Sequence, residues 1–110
     1  DVIELQNNRF KYVEEFSKKY PKIVLLLKGA NVIISQNEKL YVNIFGSSKL
    51  SKGGSGDVLS GLIASLLAQG YTSLEAAINA SLAHTIAAKK YKNNNYSMSP
   101  QDIIQGIKIL

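Results

Sequence analysis

The sequence reads as an α/β protein, and three observations say so. Ile23-Val24-Leu25-Leu26-Leu27 is a continuous, β-rich apolar run. A helical pattern over about Arg9–Tyr20 precedes it. A loop of glycine, serine and lysine over residues 46–56 then leads directly into a further helical segment. A run that is apolar at every position is how a strand covered on both faces reads. Such a strand needs neighbours on both edges and helices on both faces, more than this chain can supply. The 110 residues, which open at Asp1 directly before a helix, are therefore expected to be the C-terminal portion of one larger domain, its N-terminal portion cut away or on another chain.

The elements follow in order. Asn7 and Asn8 can cap a helix from about Arg9 to Tyr20, on which Phe10, Val13, Phe16 and Tyr20 form one stripe. Pro21 stops it. The Ile23–Leu27 strand ends at Lys28-Gly29. Val32-Ile33-Ile34 and Leu40-Tyr41-Val42 flank Ser35-Gln36-Asn37-Glu38-Lys39, which predicts a hairpin. A helix is expected from about Asp57 to Gln69, with Val58, Leu59, Leu62, Ile63, Leu66 and Leu67 on its apolar side and small residues opposite, the pattern of a central, closely packed helix. Gly70 suits the position just past its end. Thr72-Ser73-Leu74-Glu75 is a capping box opening another helix, to about Tyr91. Ser99-Pro100 starts a last one through Ile109.

Composition excludes several classes of function. Hydrophobic residues make up 45% and charged residues 19%, a globular rather than a disordered balance. The absence of cysteine removes disulfides, thiolate zinc, iron–sulfur ligation and thiol catalysis. A single histidine, His84, removes His-rich metal sites; on a stripe with Ala77, Ser81 and Ala88 it reads as packed and hydrogen-bonded. No apolar run approaches the roughly 18 residues that span a bilayer, so no membrane partner is expected and cytoplasm is the expected location. The net charge of +5 invites nucleic acid. Its dispersal argues against that partner, since Lys18-Lys19 and Lys89-Lys90 are doublets at helix ends, where cations suit the dipole. A mildly positive surface suits phosphorylated small molecules better.

The densest chemical signal is Lys52-Gly53-Gly54-Ser55-Gly56-Asp57 ahead of a helix. Glycines let successive N–H groups point at one spot, and the helix N-terminus adds partial positive charge, a combination that binds phosphate. Two familiar spellings fail. Gly56 is followed by Asp57, not the lysine of a Walker loop, and Leu59 stands where a dinucleotide fingerprint counted from Gly54 needs glycine. Asp57 is either a first-turn carboxylate serving the helix dipole or a general base aimed at a hydroxyl that attacks phosphorus; spacing leaves both open. Lys28 ends a strand where an open α/β sheet meets its ligand.

Gly53-Gly54-Ser55-Gly56-Asp57-Val58-Leu59-Ser60-Gly61, with Leu66-Leu67-Ala68-Gln69-Gly70 behind it, resembles the G-x-G-D motif of the ribokinase-like superfamily. Leu27-Lys28-Gly29-Ala30 before a hairpin is similar to the L-K-G-x-x-T segment of its ADP/ATP-dependent NAD(P)H-hydrate dehydratases. Glu75-Ala76-Ala77, His84 and Ser99-Pro100-Gln101-Asp102-Ile103-Ile104 fall in that family's order and spacing. The resemblance implies the C-terminal portion of a ribokinase-like three-layer α/β/α sandwich. It implies that Lys28, Gly29, Ala30, Asn31 and Val32, with Gly54, Ser55 and Gly56, contact an adenine nucleotide. Asp57 would contact hydrated NADH or NADPH and deprotonate its added hydroxyl. Phosphoryl transfer from ADP or ATP, with Mg²⁺ neutralising the phosphates, and loss of phosphate would regenerate the dinucleotide. One departure is Val32, where the family has threonine and therefore a hydroxyl. A homo-oligomer is the expected assembly. Two other functions remain: a ribokinase-like kinase of vitamin or sugar metabolism, in which Asp57 activates an alcohol, and a basic module in which residues 53–56 merely capture an anion.

Overall fold

A computed structural model describes residues 8–29, 31–44 and 54–90, together with Gln101, Ile104 and Ile107. Six elements follow one another: α1 (Arg9–Lys19), β1 (Leu25–Leu27), β2 (Val32–Gln36), β3 (Lys39–Asn43), α2 (Ser55–Ala68) and α3 (Ser73–Lys90). The strands form one antiparallel sheet in the order β1-β2-β3.

The register assigns the two faces of that sheet. Leu27 lies opposite Ile33 and Leu25 opposite Ser35, so these four share a face. Helix α1 covers it: Val13 and Phe16 line one cavity with Leu25 and Leu27. Ser17, fully buried on α1, accepts a 2.7 Å hydrogen bond from the Glu38 N–H at the hairpin tip. The other face carries Leu26, Ile34, Tyr41 and Asn43. There the Asn43 amide donates to Ser81 Oγ at 2.9 Å and to Thr85 Oγ1 at 3.2 Å, which fastens β3 to α3. Helix on one face and helices on the other make three layers, α/β/α, as expected.

The chain interior differs from its sequence reading in three places. The fully buried strand segment is Ile33–Ser35 of β2, not Ile23–Leu27; Ile23 is 48% exposed and β1 only half-buried. Among the described residues β1 pairs with β2 alone, so one of its edges and part of its surface are uncovered. The hairpin loop is shorter than read, only Asn37 and Glu38, and both have positive φ (49° and 68°). That is the conformation of a two-residue turn whose twist matches the strands it joins. The tightly packed helix is α3 rather than α2. Ala76, Ala77, Ala80, Ser81, Ala87 and Ala88 are buried on α3, whereas α2 buries Ser55 and Leu59 and leaves Leu67 44% exposed. Small side chains let α3 approach its neighbours from several sides, which a broad leucine face does not require.

The termini of the helices follow local chemistry. Asn8 holds the N-cap position of α1, but its side chain makes no capping bond. Gly70 has φ +96°; its N–H reaches the Leu67 carbonyl and the Tyr71 N–H reaches that of Leu66, a Schellman stop for α2. The capping box of α3 forms as read: the Thr72 N–H donates to the Glu75 carboxylate at 2.9 Å and the Glu75 N–H to Thr72 Oγ1 at 3.2 Å. The Thr72 N–H, and after it the Thr72 side chain, hold the Glu75 carboxyl below its usual range. Lys52 and Gly53, the segment beyond Lys90 and most of the last expected helix lie outside the described residues.

Candidate active site at the start of α2

Gly54 stands at the N-cap of α2 with φ 89° and ψ −17°, left-handed backbone that a side chain would strain. Ser55 follows directly in right-handed helix. That alternation turns successive N–H groups toward one point and forms an anion-binding concavity at the positive end of the helix. The α2 axis is anchored from behind. Ser55 is buried, and its main chain accepts a hydrogen bond from His84 on α3.

Lys28, at the C-terminal end of β1, reaches the same place. A Cβ built on Gly56 would stand 2.5 Å from Lys28 Nζ, so the ammonium lies directly over the second residue of α2. A cation there is out of line with the helix dipole, which disfavours positive charge at the N-terminus. Together the N–H groups and the ammonium form a strongly positive spot, arranged for a multiply charged anion.

Asp57 is exposed in the first turn of α2. Its carboxylate makes no hydrogen bond or ion pair with another described residue. It borders a groove of about 580 Å³ whose walls are largely apolar, with Val58, Leu62, Ile104 and Ile107 among them.

The remaining candidates divide. Ala30 lies outside the described residues. Asn31 is exposed and offers its carbonyl to Arg9. Val32 begins β2, half-buried. Gly29 lies beneath the Arg9 guanidinium. Sequence reasoning did not single out Arg9, although it is the chain's one arginine among twelve lysines, a signal available in the composition.

His84 is buried, and its Nε2 has no hydrogen-bond partner among the described residues. Burial lowers its pKa below the ordinary 6.5; the Lys28 charge lowers it further, and the bond to the Ser55 main chain opposes both. The folded protein thus binds this proton less readily than the unfolded chain does. Its contribution to stability is complete above pH 6.5 and is lost as pH falls from there toward the lower folded value. Denaturant titrations of the full-length protein should show stability falling below pH 6.5, and His84→Gln should flatten that slope. An equal slope in the variant would contradict the assignment.

The layered α/β frame, with its glycine-led helix start facing a strand-end lysine, is that of the ribokinase-like class. Within that class the chain belongs to the NAD(P)H-hydrate dehydratase family, whose sequence profile matches residues 1–108. It is 54% identical over 109 residues to the bifunctional NAD(P)H-hydrate repair enzyme Nnr of Helicobacter pylori, covering 99% of this chain and 23% of that protein. It is 37% identical over 103 residues to the ADP-dependent (S)-NAD(P)H-hydrate dehydratase of Nitrosopumilus maritimus, covering 93% of this chain and 36% of that one. The crystal structure of the ADP/ATP-dependent NAD(P)H-hydrate dehydratase from Bacillus subtilis, co-crystallised with ATP and Mg²⁺, superposes with a TM-score of 0.89 at 26% identity. That match covers 98% of this chain and 41% of the Bacillus chain. The chain therefore spans less than half the length of these relatives.

Proposed function

We propose that residues 1–110 form the C-terminal, nucleotide-binding portion of an ADP- or ATP-dependent dehydratase acting on the hydrated forms of NADH and NADPH. The observation that carries this is the Lys28 ammonium over Gly56 at the start of α2, with Asp57, one residue on, exposed and without a partner among the described residues. The lengths of the relatives support a remainder of the same domain upstream, which would cover β1 and the exposed Phe10 and Ile23. By itself the 110-residue chain should melt without cooperativity, because too much apolar surface stays open. Supplying the remainder should restore a cooperative transition. A sharp, reversible transition of the isolated chain would contradict this.

In the complete enzyme, the N–H groups of residues 55–57 and the Lys28 ammonium hold the terminal phosphates of the nucleotide. Asp57 accepts the proton of the added hydroxyl on the hydrated nicotinamide ring. The hydroxyl oxygen bonds to the terminal phosphorus, and AMP leaves from ADP, or ADP from ATP. The ring then expels inorganic phosphate, a far better leaving group than hydroxide, and loses its neighbouring proton to restore the double bond. The sum is hydrated NADH plus ADP giving NADH, AMP and phosphate.

Magnesium would come with the nucleotide, whose phosphates and a shell of water suit it. Asp57 is the carboxylate at this site able to meet its hydration shell; the ion, when bound, neutralises phosphate charge. The whole protein is proposed to act as a cytoplasmic homo-oligomer. No described helix is long and apolar enough to cross a membrane.

Incubating the full-length protein with ADP or ATP tests the proposal. Phosphate release should require hydrated NADH or NADPH, and release that ignores the hydrate would refute it.

A further inference from the structure

We infer that Arg9 is a positioning residue for the nucleotide, holding the segment that carries Lys28, and that residue 29 is glycine to admit its guanidinium. The inference rests on the proposed nucleotide site. Nη2 of Arg9 donates to three main-chain carbonyls at the exit of β1 and the entry to β2: Leu27 at 3.2 Å, Lys28 at 3.1 Å and Asn31 at 2.9 Å. Three carbonyl dipoles converging on one point repel each other, and they would repel a phosphate nearby. A guanidinium among them removes both penalties, the two N–H bonds of Nη2 being shared among the three acceptors.

Two further observations agree. Arg9 opens α1, where a cation opposes the helix dipole and no acidic residue compensates it in the first turn. The carbonyl bonds explain why an arginine is found there. Gly29 is not among the described glycines with positive φ, so its backbone does not call for glycine. A Cβ at Gly29 would come 2.6 Å from Cζ and Nη2 and 2.9 Å from Nη1. To make way for that Cβ the guanidinium, at the far end of a flexible side chain, would have to shift and loosen the bonds it makes. Lysine would not replace it, since its ammonium ends one bond short of the Nη2 position from which all three carbonyls are met.

Calorimetric ADP affinity, KM for ADP, kcat and melting temperature of the full-length protein decide the matter. Arg9→Ala should raise the ADP Kd and KM by about 10- to 100-fold, as a displaced binding group does, with a smaller effect on kcat. Arg9→Lys should lose nearly as much, and it decides the question if the alanine variant does not fold. Gly29→Ala should reproduce the loss, yet add little when combined with Arg9→Ala, since both act through one contact. A lowered melting temperature with unchanged ADP affinity in the folded variants would overturn the inference, as would fully additive losses. If the unaltered protein binds no ADP, the proposed nucleotide site fails and this inference with it. If it binds ADP and the arginine variants bind equally well, only the role of Arg9 fails.

Discussion

Asp57→Asn should lower turnover of the full-length protein by about 10²–10⁴-fold, the share a general base contributes. Asparagine serves an N-terminal turn about as well as aspartate, and Asp57 is exposed and without a partner among the described residues, so stability should change little. Removing a negative charge from beside the phosphates should leave nucleotide affinity unchanged or higher. The combination is diagnostic, because loss of a structural carboxylate would weaken folding and spare turnover. Steady-state rates and calorimetric affinity measured on the same variant check it. Near-normal turnover would return Asp57 to the helix dipole.

Gly56→Val should weaken ADP or ATP binding by about 10–100-fold, the worth of a charge-assisted hydrogen bond to an anion. Gly56 lies within α2 and has no positive φ, so its backbone accepts a side chain. The added Cβ instead meets Lys28 Nζ at 2.5 Å and drives the ammonium off the helix start. Gly56→Ala should show a smaller loss of the same kind, since the lysine stem can yield to one methyl more easily than to a branched side chain. Isothermal calorimetry on both variants checks this, and equal affinity across the series would place the phosphates elsewhere.

What the sequence disclosed is mostly what local chemistry governs. The capping box at Thr72 and Glu75, the helix stop at Gly70 and the helix start after the glycine loop depend on neighbours in the chain, and each formed where its residues indicated. Burial was less legible, because it depends on which elements meet. The Ile23–Leu27 run is the most apolar stretch near the sheet, yet β2 lies between two strands and two helix layers, and its Ile33–Ser35 segment is the one fully buried. Likewise α3, with its alanines and serines, packs more deeply than the leucine-rich α2. At the candidate site, Lys28 and Gly56 are 28 positions apart, and neither alone implies that the ammonium sits over the helix start. Arg9 is the extreme case. It lies outside every motif, and only the fold brings it to the carbonyls of residues 27, 28 and 31.

The fate of the transferred phosphate tests the central claim most directly. With hydrated NADH and ADP, the full-length protein should yield NADH, AMP and inorganic phosphate in equal amounts, and no phosphorylated dinucleotide should accumulate. A stable phosphorylated alcohol, formed with nucleotide consumption and without recovery of NADH, would make the protein a small-molecule kinase and contradict the account.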